Sequence, residues 1–479
     1  MKNHFKHLPK LFLLFSFGCS DFLTLSPETE RNVLNSYHTP SDFNNALMGG
    51  YATLRTTGIY GNSLIWMGEI STDNSDYGVT RASQNVDNFQ FIDKNYTSLN
   101  SIIYNAWRDH YVGLRRVNAI INRIQAVEMG EAVKNQYTGE AKFLRALYYF
   151  NLVRLFGEVP LVTSEITDPE GGTNLPRASK DEIYKLIIAD LTDAEENLPE
   201  VYTSSQSGRA TREAARGILG KVYLTRKEWE KAAQKLKEII DSGSYRLLAN
   251  YSEVFSYTTP VNDEILFNVQ YKSGNTGQGS NFGRAFAPSG VGISVLGPNA
   301  GTGGGLNRPT DDLVNAYEEG DLRKPFTLQT SYIDNAGRRV EGNYVSKYIQ
   351  FGALAGDSDV DFPVLRYADV LLMYGETLNE LGETQHALGY INQIRLRAGL
   401  KELSDLNQNT YRLAMEKERR LELAFENHRW FDLIRTNRYL EVMRSKGSTV
   451  RDHHILYLIP QLELDLNPSL IQNPGYNEE

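Results

Sequence analysis

Residues 219–236, LGKVYLTRKEWEKAAQKL, and residues 374–391, YGETLNELGETQHALGYI, share one spacing of small and large side chains. In each stretch a glycine stands twelve residues before an alanine, as Gly220 does before Ala232. Small residues let two paired helices approach closely, and large apolar residues fill the groove beside them. Both stretches therefore predict a helix, a short turn and a second helix.

This spacing is typical of the tetratricopeptide repeat, and neighbouring sequence predicts further helices. Apolar side chains recur at three- and four-residue steps over 103–124, and a second helical run covers 140–156. Ser179 and Glu182 have the spacing of a capping box and mark the start of a third helix. A final helical pair is predicted at about 411–437.

Two kinds of segment alternate along the chain. Helical pairs are predicted at about 100–245 and 365–437, whereas 58–98 is rich in Ser, Asp, Asn and Gly, and 272–310 is rich in Gly. A short strand is expected at 264–271. Irregular segments as long as the glycine-rich one are usually functional or disordered. The sequence predicts a mainly α fold, a superhelix of tetratricopeptide-like helical pairs with long loops and a few short strands, whose two loop segments face a ligand.

The start of the chain predicts export. Three lysines precede a short apolar run and Gly18, which is the order of a secretory signal, so we expect residues 1–18 to be a signal peptide. Cys19 is the only cysteine in 479 residues. Because a lone thiol can form no internal disulfide, we expect Cys19 to be the lipid attachment point at the start of the mature chain.

The overall charge argues against one class of ligand. The chain has 50 Lys and Arg against 59 Asp and Glu, a net charge of −9. Binding to nucleic-acid phosphates requires clustered Lys and Arg, so we expect no nucleic-acid partner. An exported chain without disulfides, rich in Tyr (28) and Phe (20), fits a Gram-negative envelope.

Motifs for catalysis and cofactor binding are absent from the sequence. There is no HExxH, CxxC, GxSxG or GxxxxGK[ST]. Asp357, Asp359 and Asp361 resemble the start of a calcium loop, but Phe362 stands where glycine is required, which favours a solvated acidic loop. We expect no metal, no cofactor and no enzymatic activity, although a glycosidase-type carboxylate pair stays open.

Short motifs spread from residue 60 to residue 476 carry a family resemblance. In chain order they are YG at 60–61, MGEISTDN at 67–74, EAKFLRALYYF at 140–150, LFG at 155–157, VPL at 159–161, RPT at 308–310, DLRK at 321–324, ERRLELAFE at 418–426, RWFDL at 429–433 and QNPGY at 472–476. With these motifs behind a candidate lipid-anchor cysteine, the chain resembles the SusD/RagB family of outer-membrane nutrient-binding lipoproteins nearly end to end.

The resemblance implies a single mostly helical domain, residues 19–479, built on four tetratricopeptide-like pairs. It also implies a lipid-anchored position on the outer membrane, facing the cell exterior, above a SusC-like TonB-dependent β-barrel transporter. Members of the family capture oligo- or polysaccharide, or in one branch peptides, and deliver it to the barrel without catalysis. Peptide binding, a surface hydrolase and a pure scaffold for the barrel are the alternatives to glycan binding.

Candidate ligand-binding residues follow from the chemistry of sugars, whose rings present an apolar C–H face and a hydroxyl edge. Aromatic faces pack against the first, at about 0.5–1.5 kcal/mol per ring beyond burial, and planar polar groups bind the second. The candidates in the two loop segments are the rings of Trp66, Tyr77, Phe282 and Phe286, with Asp73, Asn74, Asn281 and Arg284 as polar partners. Trp66 and Asp73 lie in a motif that carries the resemblance, so a structural role is the alternative for both.

Other conspicuous side chains are expected to be structural. The tryptophans at helical positions with apolar neighbours are expected in the core, and four charged residues near the last helical pair are expected to form a buried or half-buried ion network. These residues are Trp107, Trp229 and Trp430, and Arg419, Glu422, Glu426 and Arg429.

Overall fold

The structure of the protein is a computed structural model that describes residues 37–166 and 173–476. The predicted signal peptide and Cys19 lie outside the described residues. Within these ranges, no helix is both long and apolar enough to cross a membrane.

Long helices form the frame of the described part of the chain. Those of 14 residues or more are α1 (Pro40–Thr53), α2 (Ser101–Arg123), α3 (Glu131–Phe156), α4 (Lys180–Asn197), α5 (Arg212–Thr225), α6 (Trp229–Ser242), α7 (Tyr367–Glu380), α8 (Thr384–Arg397) and α9 (Gln408–Glu422). Shorter helices include Val86–Asp93, Asp311–Ala316, Arg429–Arg435, Tyr439–Ser445 and Gln461–Leu466.

Each labelled helix packs against the next one, from α1 to α9. The array stays continuous between α6 and α7 although more than a hundred residues separate them in sequence, so the intervening chain is an excursion from the helical frame. The predicted fold class, a mainly α superhelix of paired helices with a few short strands, is confirmed.

Local sequence explains where these helices begin and how closely they pair. Ser179 caps α4 by accepting from the Glu182 amide, and the Glu182 carboxylate accepts from the Ser179 amide, which completes the predicted capping box. In the α5–α6 pair, a Cβ at Gly220 would lie 2.9 Å from Leu236 Cδ2 on the facing helix. The close approach that the repeat spacing predicts is therefore present.

In residues 37–166 and 173–476, strands are short and pair antiparallel in four two-stranded sheets. The pairs are β1 (Ser75–Asp76) with β5 (Arg308–Pro309), β2 (Val159–Pro160) with β3 (Arg177–Ala178), β4 (Ile265–Val269) with β8 (Phe362–Arg366), and β6 (Leu328–Ile333) with β7 (Arg339–Val345). The strand predicted at 264–271 is β4, and the β6–β7 hairpin escaped sequence analysis because polar, half-exposed residues dominate it.

Segment 58–98 is more ordered than its composition suggested. It contains a π-helical turn at Trp66–Ile70 and the helix Val86–Asp93, whose apolar residues enter the main core. Trp107 and Trp430 lie in that core, at 2% and 0% exposure, as predicted, whereas Trp229 is only half-buried at its edge.

Candidate ligand-binding surface

The two predicted loop segments meet. Ser75 pairs with Pro309 and Asp76 with Arg308 in the β1–β5 ladder. Beyond the ladder, the Gly78 amide donates to the Gly305 carbonyl at 2.8 Å. The backbone of 58–98 is thus joined directly to the end of 272–310.

Trp66 does not face the outside. Its ring is 1% exposed and packs 5.1 Å from the ring of Tyr77 and 5.6 Å from that of Phe91. A ring with no open face cannot stack on a sugar, so the structure gives Trp66 the structural role. Tyr77 is half-exposed, but its ring is held by Trp66 and Phe89.

Phe282 and Phe286 are also core residues. They are 2% and 1% exposed, and both rings pack against Tyr348 at 5.7 and 5.8 Å. The short helix Phe282–Phe286 buries these two rings and turns its other side outward. The expectation that they contact a ligand conflicts with this burial.

Asp73 and Asn74 bind other parts of the protein. Arg429 donates to both oxygens of Asp73, and Arg420 donates to Asn74 Oδ1 at 2.7 Å. Burial raises the pKa of Asp73, but the charge and hydrogen bonds of Arg429, together with the charge of Arg420, lower it below its usual value. Both side chains are engaged in folding contacts, which explains why they occur in a family motif.

The four charged residues expected to form one ion network are buried, but they belong to separate clusters. Arg419 pairs with Asp369 and Asp432, and Arg429 pairs with Asp73 and Glu416.

Glu422 and Glu426 share one cluster. Arg366 donates to Glu264, Glu422 and Glu426, all fully buried, while Arg323 also reaches Glu422. Burial raises the pKa of Glu426, but the charges of Arg366 and Lys347 and the hydrogen bond from Arg366 together lower it below its usual value. This cluster ties the end of α9 to the strand pair β4–β8.

Two predicted polar residues remain open to solvent. Asn281 is exposed and Arg284 is half-exposed, on the outward side of their short helix. Arg284 lies in a small hollow with Gln350 and Leu354, and its Nε has no hydrogen-bond partner among the described residues. A guanidinium nitrogen in this position can donate to a ligand oxygen.

Sequence analysis missed the loop that completes this surface. Phe351 is 64% exposed and Leu354 43%, and Ile293 on the facing segment is 68% exposed. The Gly352 amide donates to the Leu296 carbonyl at 2.8 Å, which joins the two segments. We call Asn281, Arg284, Ile293, Phe351 and Leu354 the loop surface. The signal was an apolar, glycine-rich run, FGALAG at 351–356, that follows neither helical nor strand periodicity.

The three aspartates 357, 359 and 361 anchor the neighbouring loop instead of facing water freely. Asp357 accepts from the amides of Gly274 and Asn275 at 2.9 and 2.8 Å, and Asp359 accepts from the Ser273 amide and hydroxyl. Asp361 accepts from the Tyr271 amide. In the described ranges, no group of three or more His, Cys, Asp and Glu side chains could hold a metal ion.

The loop surface combines an exposed aromatic ring, aliphatic side chains, a guanidinium group and a carboxamide. This set suits a ligand with apolar faces and hydroxyl edges.

Two family models match separate parts of the chain. The model of the SusD family matches residues 326–476, and a model described as starch-binding associating with outer membrane matches residues 21–224. The chain belongs to the SusD family. The family resemblance inferred from its motifs is therefore confirmed.

Relatives of this SusD-family protein match it along most of their length. SusD-like protein P25 of Formosa agariphila is 27% identical over 98% of this chain and 98% of its own. The starch-binding protein SusD of Bacteroides thetaiotaomicron is 23% identical over 76% of each chain. A solved laminarin binding SusD-like protein superposes with a TM-score of 0.81 at 28% identity, covering 92% of this chain and all of the other.

Proposed function

We propose that this protein is a cell-surface glycan-binding lipoprotein. It captures oligo- or polysaccharide at the loop surface and delivers it to a SusC-like TonB-dependent transporter in the outer membrane. Cys19 carries the lipid anchor. The binding is non-catalytic and weak enough for the ligand to be passed on.

The observation that carries the proposal is the exposed Phe351 ring in the same short loop as Gln350 and Leu354, which line the hollow of Arg284, in a chain of the SusD family. An aromatic ring that is 64% exposed loses water on contact with the C–H face of a sugar. Arg284 and Asn281 can donate to hydroxyl oxygens at the edge of the same sugar. One relative is a starch-binding protein and another a laminarin binding protein, which supports a glucan as the first ligand class to test.

The test is affinity electrophoresis of the purified protein in gels containing starch or laminarin, followed by calorimetry with the retained glucan. Phe351→Ala is expected to weaken binding by about tenfold, because one ring contributes roughly 0.5–1.5 kcal/mol beyond its burial. Arg284→Gln, which keeps the side-chain length, should weaken binding as well.

Tyr257→Ala is the matched control, since Tyr257 is an exposed ring, at 42%, outside the loop surface. It should bind like the unaltered protein. Unchanged binding by Phe351→Ala would overturn the role of the loop surface. Retention by no glycan, or sustained release of reducing ends from one, would overturn the function itself.

A further inference from the structure

The helical frame contains a cavity that lies outside the loop surface. This cavity of about 660 Å³ is bounded by the turn between α5 and α6, the end of α7, the outer side of α9 and the helix Arg429–Arg435. We call it the scaffold cavity. Pockets of about 300–1,000 Å³ are the size that holds small ligands.

One buried side chain in this cavity has a donor to spare. Arg419 is 2% exposed; its Nη1 donates to Asp369 at 2.8 Å and its Nε to Asp432 at 2.9 Å. Its Nη2 has no hydrogen-bond partner among the described residues, although Arg419 lines the cavity. Buried donors without partners are rare in folded proteins, so this atom points to a ligand oxygen.

Three arginines of the cavity wall are paired with carboxylates of the same wall. Arg412 pairs with Glu380 at 2.7 Å, Arg438 pairs with Glu416 at 2.9 Å, and Arg435 pairs with Glu376. The wall therefore offers donors and acceptors side by side. A hydroxyl group can accept from a guanidinium and donate to a carboxylate at once, which matches such a wall.

An aromatic ring completes the set. Trp229 is half-buried at the wall of the cavity, at the start of α6. Its flat indole face suits the C–H face of a sugar ring.

We infer that the scaffold cavity is a second saccharide site, which takes a short neutral oligosaccharide separately from the loop surface. The inference rests on the proposed glycan-binding function, and it adds a site that accepts chain ends or short fragments. Trp229 packs on the sugar ring, and Arg419 Nη2 donates to one of its oxygens.

Tryptophan fluorescence gives a readout of this site alone. The chain has four tryptophans, of which Trp66, Trp107 and Trp430 are at most 2% exposed. Protection of fluorescence from acrylamide quenching therefore reports on Trp229. We expect maltotriose, laminaritriose or cellotriose to give saturable protection in the unaltered protein and in Phe351→Ala, and none in Trp229→Phe.

Calorimetry in the Phe351→Ala background should show that Trp229→Ala lowers the affinity for the protecting trisaccharide by about tenfold. Glu230→Gln, a change at the exposed next residue, should have no effect. Arg419→Lys removes the Nη2 donor, and the same calorimetric titration should show weaker binding of the trisaccharide. The circular dichroism spectrum of this variant checks that it is folded.

If no trisaccharide protects Trp229 while starch or laminarin still retards the protein through Phe351, the saccharide site in the scaffold cavity is wrong. The proposed glycan-binding function is unaffected by that result. Protection by short peptides and by no saccharide would also overturn it. If no glycan of any length binds, both the proposed glycan-binding function and the saccharide site in the scaffold cavity are wrong.

Discussion

Arg429 and Asp73 form a buried two-point ion pair across 356 residues of chain, with Nε–Oδ1 at 2.8 Å and Nη2–Oδ2 at 2.9 Å. Both residues are 5% exposed. The pair fastens the segment that contains β1 to the helix that follows α9. Asp73 therefore holds the segment that contains β1 in place, and its carboxylate is engaged within the fold.

Asp73→Ala should destabilise the fold without a direct effect on binding. Removing Asp73 leaves the buried guanidinium of Arg429 with only Glu416, at 3.4 Å, which costs up to about 3–5 kcal/mol of unfolding free energy. The thermal midpoint and urea denaturation measure the loss, and calorimetry on the folded fraction measures glucan affinity. Asp93→Ala breaks the exposed pair with Arg81 and should cost about 1 kcal/mol or less. If Asp73→Ala is as stable as the unaltered protein but no longer binds glucan, Asp73 contacts the ligand after all.

The helical frame could be predicted because its signals are periodic and local. Gly220 and Ala232, or Ser179 and Glu182, act within one helical pair or one helix turn, so spacing alone identifies them. The candidate surface lacks such a period. Within the helix Phe282–Phe286, Phe282 points inward and Arg284 outward, and that difference depends on Tyr348, more than sixty residues further along the chain.

The same limit explains the errors at the site. Composition located the two loop segments and placed Asn281 and Arg284 among the candidates, and these remain open to solvent. Phe351 was missed because an exposed ring and a buried ring look alike in sequence. Only the tertiary packing that buries Trp66 and exposes Phe351 separates them.

Close helix packing gives a prediction at Gly113. A Cβ at this position in α2 would lie 2.5 Å from Tyr148 Cζ, and the Tyr148 hydroxyl is itself fixed by donation to the Gly50 carbonyl at 2.7 Å. Gly113→Ala should therefore lower the unfolding free energy by about 1–3 kcal/mol, as overpacking does. Gly389→Ala is the control: it is exposed within α8, with no atom within 4 Å of its added Cβ, and should stabilise by roughly 0.5–1 kcal/mol. Equal shifts in thermal midpoint would contradict this packing.

Glu69 gives a pH-dependent prediction. Burial raises its pKa to about 7, against the opposing hydrogen bonds from Asn74 and the Phe425 amide. Because the folded pKa lies above the unfolded one, the stability that the protonated carboxyl contributes is fully present below pH 4.5 and is lost as pH rises through 7.

Glu69→Gln has no carboxyl to titrate at this position, so it does not lose this contribution as the pH rises. Its free energy of unfolding, minus that of the unaltered protein, should therefore increase between pH 4.5 and 8 by up to about 3 kcal/mol. Urea denaturation of both proteins across this range measures the difference. Burial lowers the pKa of His110 to about 4, so its contribution to stability changes with pH in the opposite direction. The contributions of such buried histidines are the same in both proteins and cancel in the difference. Glu341→Gln, at a side chain that is 74% exposed, should show no such trend. A pH-independent difference for Glu69→Gln would contradict the raised pKa.

Asp357 gives a prediction about the order of the turn at Gly274 and Asn275, in the segment that precedes Asn281. Its carboxylate accepts from the amides of Gly274 and Asn275, so Asp357→Ala should release this turn. Hydrogen exchange at these two amides should accelerate by about tenfold, since each lost hydrogen bond contributes about 1 kcal/mol. Asp334→Ala, in the turn between β6 and β7, is the control and should leave them unchanged. Unchanged exchange in Asp357→Ala would mean that the turn is held by other contacts.

The proposed anchor predicts where the protein is found in the cell. Each buried methylene of an acyl chain contributes about 0.8 kcal/mol, so one chain binds a membrane marginally and two or more hold it firmly. Cys19→Ala removes the only thiol that could carry such chains, and the variant should leave the outer-membrane fraction for the soluble one. Ser20→Ala changes the next residue and keeps the thiol, so it should stay with the membrane. Sedimentation of both variants with outer membranes would mean that protein contacts, and not a lipid at Cys19, hold the chain at the surface.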